Sequence, residues 1–223
     1  MNDTKCSGVL FDLDGTLVDS LRDIGDAMNA VLAARGLPEH SLDAYRVFVG
    51  DGMEVLARRA LPESRRDTPD TVAALVAEMK REYATRWSHH ANPYPGVREM
   101  IHTLRRTGLR LGVLSNKPDA FTREMVAHVF PDMEWDAVRG AREDVPLKPA
   151  PDAAREILRT WALSPEQVAY VGDTLTDMLT ARNTGMPGIG VTWGFRDRAE
   201  LEAHGAEIVV DHPTEILRWI MNA

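Results

Sequence analysis

The stretch GVLFDLDGTLVDS, from Gly8 to Ser20, decides how the rest of the chain is read. Val9, Leu10 and Phe11 form a short apolar, β-prone run that Gly15 breaks, so the carboxylates of Asp12 and Asp14 fall at the carboxyl end of a strand. Open α/β sheets bind their ligands at that edge. Side chains two apart on an extended segment share a face, so both carboxylates reach one small volume. Two crowded acids repel unless a cation or a shared proton relieves them. A pair of solvated turn aspartates is the other reading open at this point, since Asp and Gly are ordinary turn residues.

A chain of 223 residues suits one core domain carrying an insertion. The formal charge of -8 and the lack of a Lys/Arg cluster argue against nucleic acid or an anionic membrane as partner, and an anionic substrate would need local cations. Cys6 is the only cysteine, which excludes an intrachain disulfide, suits a reducing compartment and, with no partner base nearby, reads as an inert thiol. The N-terminus MNDTKCSG has no apolar signal core and no run approaches membrane-spanning length, so a cytoplasmic protein is expected. A monomer or homodimer is the expected assembly.

After Thr16 the period changes to that of a helix, with Leu21, Ile24, Met28, Val31 and Leu32 at three- and four-residue steps. Ser20 with Asp23 has the form of a capping box at its start. Further helices are predicted from Leu42 to Phe48, from the glycine loop Gly50-Asp51-Gly52 to Leu61, and from Pro69 through Trp87. The Pro/Gly cluster at 92–96 marks a boundary. From Gly96 the rhythm is helix, strand, helix, strand, the pattern of a parallel sheet wound with helices, with strands at 109–114, 137–139, 168–171, 189–192 and 208–210. The expected organisation is therefore a core from 1–16 and 93–223 and an inserted helical unit over 17–92.

Further polar groups follow the core strands. Ser115-Asn116-Lys117 sets a hydroxyl, an amide and an ammonium at a predicted helix start, where backbone N–H groups also attract anions; capping alone would equally explain Ser and Asn there. Lys148 offers a second cation, and Asp173 and Asp177 face one site if a helix begins near Leu175. Taken together, these groups are what metal-assisted phosphoryl transfer requires: carboxylate ligands suit a hard divalent cation, and Mg²⁺ takes a few carboxylates while keeping waters.

DLDGTLVDS at 12–20, LSNK at 114–117, LKPAPD at 147–152 and GDTLTDM at 172–178 resemble the four ordered motifs of the haloacid dehalogenase superfamily. Within it the chain is similar to phosphoglycolate phosphatases, whose connecting segments VGDGM at 49–53, YPGV at 94–97 and TWGF at 192–195 resemble. The resemblance implies a Rossmann-like parallel sheet core flanked by helices with an inserted all-helical cap domain. It implies a Mg²⁺-dependent phosphatase acting on a small phosphorylated metabolite such as 2-phosphoglycolate, with Asp12 as nucleophile and Asp14 as acid and base. Ser115, Asn116 and Lys148 would bind phosphoryl oxygens or position the nucleophile. The metal would be held by Asp12, the backbone carbonyl of Asp14, Asp173 and Asp177, and Thr16 would order the loop. Asp14 argues against a dehalogenase. A Schiff-base mechanism would need a cap lysine, and residues 17–92 contain only Lys80. Sugar-phosphate phosphatase, pyrophosphatase and phosphomutase chemistry remain open, as does a binding module with a vestigial site. Gly50, Asp51, Gly52 and Arg46 are expected at the substrate's leaving group, with Arg196 and Arg198 as further candidate cations. The histidines, including His89 and His90, show no metal spacing and are assigned no role.

Overall fold

A computed structural model describes residues 6–66 and 68–222, so the expectation about the extreme N-terminus, residues 1–5, lies outside them. In chain order the elements begin with β1 (Gly8–Phe11) and the two-residue β2 (Val18–Asp19). Four helices follow: α1 (Leu21–Ala34), α2 (Leu42–Phe48), α3 (Met53–Ala60) and α4 (Pro69–Arg86). After the two-residue β3 (Asn92–Pro93) come α5 (Val97–Arg106), β4 (Arg110–Pro118), α6 (Asp119–Val129), β5 (Ala137–Ala141) and α7 (Asp152–Trp161). The chain continues through β6 (Val168–Gly172), α8 (Leu175–Thr184), β7 (Gly188–Val191), α9 (Arg198–Ala203), β8 (Ile208–Val210) and α10 (Pro213–Asn222). Six of the strands form one parallel sheet in the order β5-β4-β1-β6-β7-β8.

The central position of β1 follows from its composition. All four of its residues are buried, as expected of a strand covered on both faces, and it pairs with β4 on one side and β6 on the other. From β1 the chain runs outward to β4 and β5, then returns to β6 and runs outward the other way, so the strand order reverses at the β1/β6 crevice. That is where a ligand site is expected in such a sheet. Helices α5 and α7 bury their apolar stripes at Val97, Met100, Ile101, Leu104 and at Ala154, Ile157, Leu158, Trp161 respectively. Helix α8 is different: it buries Thr176, Thr180 and Thr184, and the hydroxyls of Thr180 and Thr184 each donate to the carbonyl four residues back, at 2.7 and 2.8 Å. That internal bonding lets polar side chains face the sheet. Gly185 ends α8 in the left-handed conformation, and Ser164 with Gln167 forms a capping box that starts a short 3-10 turn.

The capping box expected of Ser20 and Asp23 does not form. Ser20 Oγ instead donates to Asp14 Oδ1 at 2.5 Å, and Asp23 accepts from the backbone N–H of His90 (2.9 Å) and Ala91 (3.0 Å). Its other oxygen lies 2.7 Å from His90 Nδ1. Asp23 thus joins the two ends of the helical unit, where β2 and β3 also pair antiparallel, while Ser20 ties its first end to Asp14. His90, given no role from sequence, is half of that junction. No helix of the described residues is long and apolar enough to cross a membrane.

Asp23 is 1% exposed and holds two backbone donors that would otherwise be buried without acceptors. Asp23→Ala is expected to lower the free energy of unfolding by about 2 kcal/mol, from the cost of leaving buried donors unmade. Urea denaturation at constant m-value checks this.

Candidate active site

The sheet edge is built by three turns. After β1 the chain folds back on itself, with Leu17 N–H and Val18 N–H both donating to the Leu13 carbonyl at 3.0 and 2.9 Å. Gly15 makes this turn possible: it has φ +90°, and a Cβ there would lie 2.3 Å from a carboxylate oxygen of Asp173. After β6, Thr174 and Asp177 form the capping box of α8, with Asp177 Oδ2 accepting from the Thr174 N–H at 3.0 Å and its hydroxyl at 2.8 Å. Thr174, not Asp173, is therefore the cap residue. Asp173 is free to accept from the Thr16 hydroxyl at 2.7 Å and the Phe195 N–H at 2.8 Å, which gives Thr16 the loop-ordering role read from sequence.

These turns bring Asp12, Asp173 and Asp177 together, all buried, with one ligand atom from each within 4.8 Å of the others. The single cation among them is Lys148. Its three donors are all used, on Asp12 Oδ1 (2.7 Å), Asp177 Oδ1 (2.8 Å) and the Tyr170 hydroxyl (3.0 Å). Three carboxylates against one ammonium leave an excess of negative charge in a dry site. Burial, offset in part by Lys148, pushes Asp12 up to about 7; burial together with the charges of Asp177 and Asp12 raises Asp173 well above the usual carboxylate range. Lys148 is held well above its ordinary value because the Asp12 and Asp177 charges outweigh its own burial. A hard divalent cation with oxygen ligands fits this donor set and would balance the charge.

Asp14 is arranged differently. Its side chain lies outside the carboxylate cluster, so of the expected metal ligands the side chains of Asp12, Asp173 and Asp177 converge while that of Asp14 does not. It accepts from Lys117 Nζ at 2.7 and 2.9 Å and from Ser20 Oγ. Lys117 was read from sequence as an ammonium at a helix start, with the second strand expected to stop at Leu114, and was not assigned a role in the site. In the structure β4 continues to Pro118, so Ser115 and Lys117 lie on a strand rather than at a helix start, and helix α6 begins only at Asp119. The signal that could have found Lys117 is the two-residue spacing from Ser115, which puts both on one face of an extended chain.

Asp12, Asp14, Ser115, Asn116 and Lys117 line one cleft with Gly50, Gly52 and side chains of α1, α3 and α4. The cleft encloses about 520 Å³ of unfilled space, its open mouth included. Asn116, expected to bind phosphoryl oxygens, has both amide donors committed to backbone, on Gly50 O (3.1 Å) and Lys148 O (3.0 Å), and its oxygen accepts from Lys148 N–H at 2.8 Å. It ties the Lys148 loop and the glycine loop to the strand. Arg46 and Asp51, expected at the leaving group, are not in the cleft lining. Arg46 donates to Gly194 O at 2.9 Å; Asp51 accepts from the Thr176 hydroxyl at 2.6 Å and pairs with Arg59 at 2.7 Å. Arg196 donates to the carbonyls of Arg46, Val47 and Val49, while Arg198 binds Val209 O and Asp211. These groups join the helical unit to the sheet or brace the core, because long guanidinium chains find backbone carbonyls across the seam. Cys6 is buried and burial raises its thiol, in line with an inert role.

The raised Asp12 sets a pH dependence. Its folded value of about 7 lies above the ordinary 3.8, so between these pH values the folded protein without a divalent cation binds more protons than the unfolded chain and loses stability as pH rises. A cation displaces that proton, so the rise in melting temperature on adding 5–10 mM Mg²⁺, an assay range of about this order, is expected to be larger at pH 8 than at pH 6. Thermal melts of the wild type and of Asp173→Asn check this, the variant losing most of the shift. Gly15→Ala is expected to abolish the shift by driving a methyl group into Asp173.

A family model described as haloacid dehalogenase-like hydrolase matches residues 9–191. A phosphoglycolate phosphatase of Pseudomonas putida is 32% identical over 207 residues, covering 91% of this chain and 75% of the relative. A phosphoglycolate phosphatase of Vibrio parahaemolyticus is 30% identical over 221 residues, covering 95% of each chain. Among solved structures, a protein from Lactobacillus delbrueckii subsp. bulgaricus superposes with a TM-score of 0.91 at 29% identity, covering 97% of this chain and 98% of its own. A haloacid dehalogenase-like family hydrolase from Streptococcus pneumoniae does so with a TM-score of 0.85 at 26% identity, covering 96% and 98%. With the converging carboxylates, the ordered motifs and a match over most of its length, this chain belongs to the haloacid dehalogenase-like hydrolase family.

Proposed function

We propose that this protein hydrolyses a small phosphomonoester, with 2-phosphoglycolate as the substrate, through an aspartyl-phosphate on Asp12. The observation that carries the proposal is the separation of two carboxylates in one cleft by two different lysines. Lys148 fixes one oxygen of Asp12, and the other has no protein donor among the described residues. Asp12 is thus oriented as a nucleophile, the requirement for splitting the reaction into two displacements. Asp14 lies outside the acidic cluster with its own partners, Ser20 and Lys117, as suits a group that gives a proton to the leaving alkoxide and later takes one from water. Ser115 lines the cleft with its Oγ accepting from the Lys117 N–H at 3.2 Å, which leaves the hydroxyl proton to donate to a phosphoryl oxygen.

Bound Mg²⁺ would be held by Asp12, Asp173 and Asp177, with the Asp14 carbonyl, and would supply charge neutralisation between an anionic nucleophile and an anionic phosphate. The remaining roles belong to the chain itself. Lys148 holds Asp12 and Asp177 in register, and Asn116 holds the Lys148 backbone. The helical unit over 17–92 serves as a lid: Arg46, Asp51 and Arg196 hold it against the sheet edge and keep water from the aspartyl-phosphate until Asp14 activates one. The choice of 2-phosphoglycolate rests on similarity to the two phosphoglycolate phosphatases. A cytoplasmic location belongs to the same reading and rests on a lone cysteine with no disulfide partner.

The test is hydrolysis of p-nitrophenyl phosphate and 2-phosphoglycolate with and without Mg²⁺. Asp12→Asn is expected to abolish turnover and acid-stable phosphoenzyme labelling, with a loss of at least about 10⁴-fold in kcat, of the order seen when a covalent nucleophile is removed. Retained Mg²⁺-dependent turnover in that variant would overturn the mechanism. Asp14→Asn is expected to lose about 10²–10⁴-fold, as general acid-base catalysis contributes. Leaving-group dependence, measured as the ratio of alkyl to aryl phosphate rates, is expected to steepen in that variant.

A further inference from the structure

The leaving-group side of the cleft has one cation and one orphaned hydroxyl. The helical unit supplies Ile24, Val49, Met53, Leu56 and Met79, all apolar, and a single polar side chain, Tyr83. Tyr83 is 1% exposed and its hydroxyl has no hydrogen-bond partner. The ring is fixed edge-on against Phe121, with centroids 5.1 Å apart, and Lys117 Nζ sits 4.9 Å from its centre. The Lys117 charge acts on the phenol hydroxyl, yet no group among the described residues accepts its proton. Burial pushes Tyr83 up to about 12, so at neutral pH it remains a donor. A buried donor left unmade costs free energy, and one that lines a substrate cleft has a natural acceptor in the substrate.

Lys117 itself, 8% exposed, lines the cleft and is its only cationic side chain among the described residues. Two of its three donors serve Asp14. We infer that Lys117 and Tyr83 together select a leaving group bearing a carboxylate, Lys117 by charge and Tyr83 by donating to a carboxylate oxygen. The inference rests on the phosphatase reading above and assigns its substrate preference to these two residues.

The surroundings decide between ligand chemistries. A sugar carries several hydroxyls, each needing a partner when it leaves water, and the apolar lid wall has only Tyr83 to offer. A second phosphate would bring two negative charges beside Asp12 and Asp14 with Lys117 alone to meet them. A purely apolar leaving group would leave the Tyr83 hydroxyl buried without a partner. One carboxylate, of unit charge and with two acceptor oxygens, matches one ammonium and one phenol.

The experiment compares 2-phosphoglycolate with its neutral isostere, the phosphate ester of glycolamide, and reads the ratio of their kcat/KM values. The ratio cancels any loss that a variant imposes on both substrates. Wild type is expected to favour the carboxylate by tenfold or more. Lys117→Met is expected to cut the ratio by about 10- to 100-fold, the range for a hydrogen bond to a charged group, and Tyr83→Phe by about 3- to 10-fold, the difference between a phenol donating to a carboxylate and to a neutral amide oxygen. Should Lys117→Met fail to melt cooperatively, Tyr83→Phe, which removes one oxygen, carries the test. A ratio unchanged in Tyr83→Phe overturns the inference. A wild type that hydrolyses both esters equally also overturns it while leaving the phosphatase reading standing. A wild type inactive on both esters and on p-nitrophenyl phosphate removes the phosphatase reading and this inference with it.

Discussion

Three buried carboxylates held around one lysine are the constraint on which the rest of this structure depends. Asp12 follows β1, Asp173 follows β6 and Asp177 lies in the first turn of α8, and they meet because β1 and β6 are neighbours where the sheet order reverses. Each is held by something specific: Asp12 by Lys148, Asp177 by the first turn of α8, Asp173 by Thr16 and the Phe195 N–H. The turns around them are shaped to the carboxylates. At Gly15 and Gly194 a Cβ would fall 2.3 and 2.4 Å from Asp173, so the backbone itself forms the cradle wall. Such an arrangement stores unfavourable charge, which is why Asp12 and Asp173 are displaced upward. It is tolerable in a folded protein because Lys148 and the hydrogen bonds to each carboxylate offset part of the cost.

The second carboxylate of the opening loop is kept apart from this cluster. Asp14 is only two residues from Asp12, yet Lys117 and Ser20 draw its side chain toward the helical unit. Ser20 ends the loop and immediately precedes α1, so Asp14 is bonded to the residue that opens the helical unit. The junction is completed by Asp23 with His90 and Ala91 and by the short β2/β3 pairing. The helical unit is therefore joined to the opening loop by polar contacts, and it reaches the sheet edge again through Arg46, Asp51 and Asn116.

Much of this was legible in the residues. The parallel core, the interruption after its first strand, the four helices and nearly all of the strand positions follow from periodicity and from Gly and Pro punctuation. The convergence of Asp12, Asp173, Asp177 and Lys148 followed from their places after strands. What was missed shares a cause: a polar side chain with several possible partners does not reveal its choice in the sequence. Ser20 and Asp23 have the spacing of a capping box but bind Asp14 and the backbone at His90. Arg46, Arg196 and Asp51 looked available for substrate but bind across the seam. Lys117 was placed at a helix start by a strand boundary set four residues early, which hid its pairing with Asp14.

The sequence by itself determined the fold class and the identity of the acidic cluster, because hydrophobic period and strand-end placement are local properties that survive in one dimension. Only the tertiary structure decided which cation each aspartate takes and which lid residue reaches into the cleft. Asp12 meets Lys148 across 136 positions and Asp14 meets Lys117 across 103. Tyr83 reaches the cleft from the middle of an apolar stripe that reads as packing. Pairings over such separations depend on how the sheet orders its strands and how the helical unit sits on its edge, and neither is written in any local run of residues.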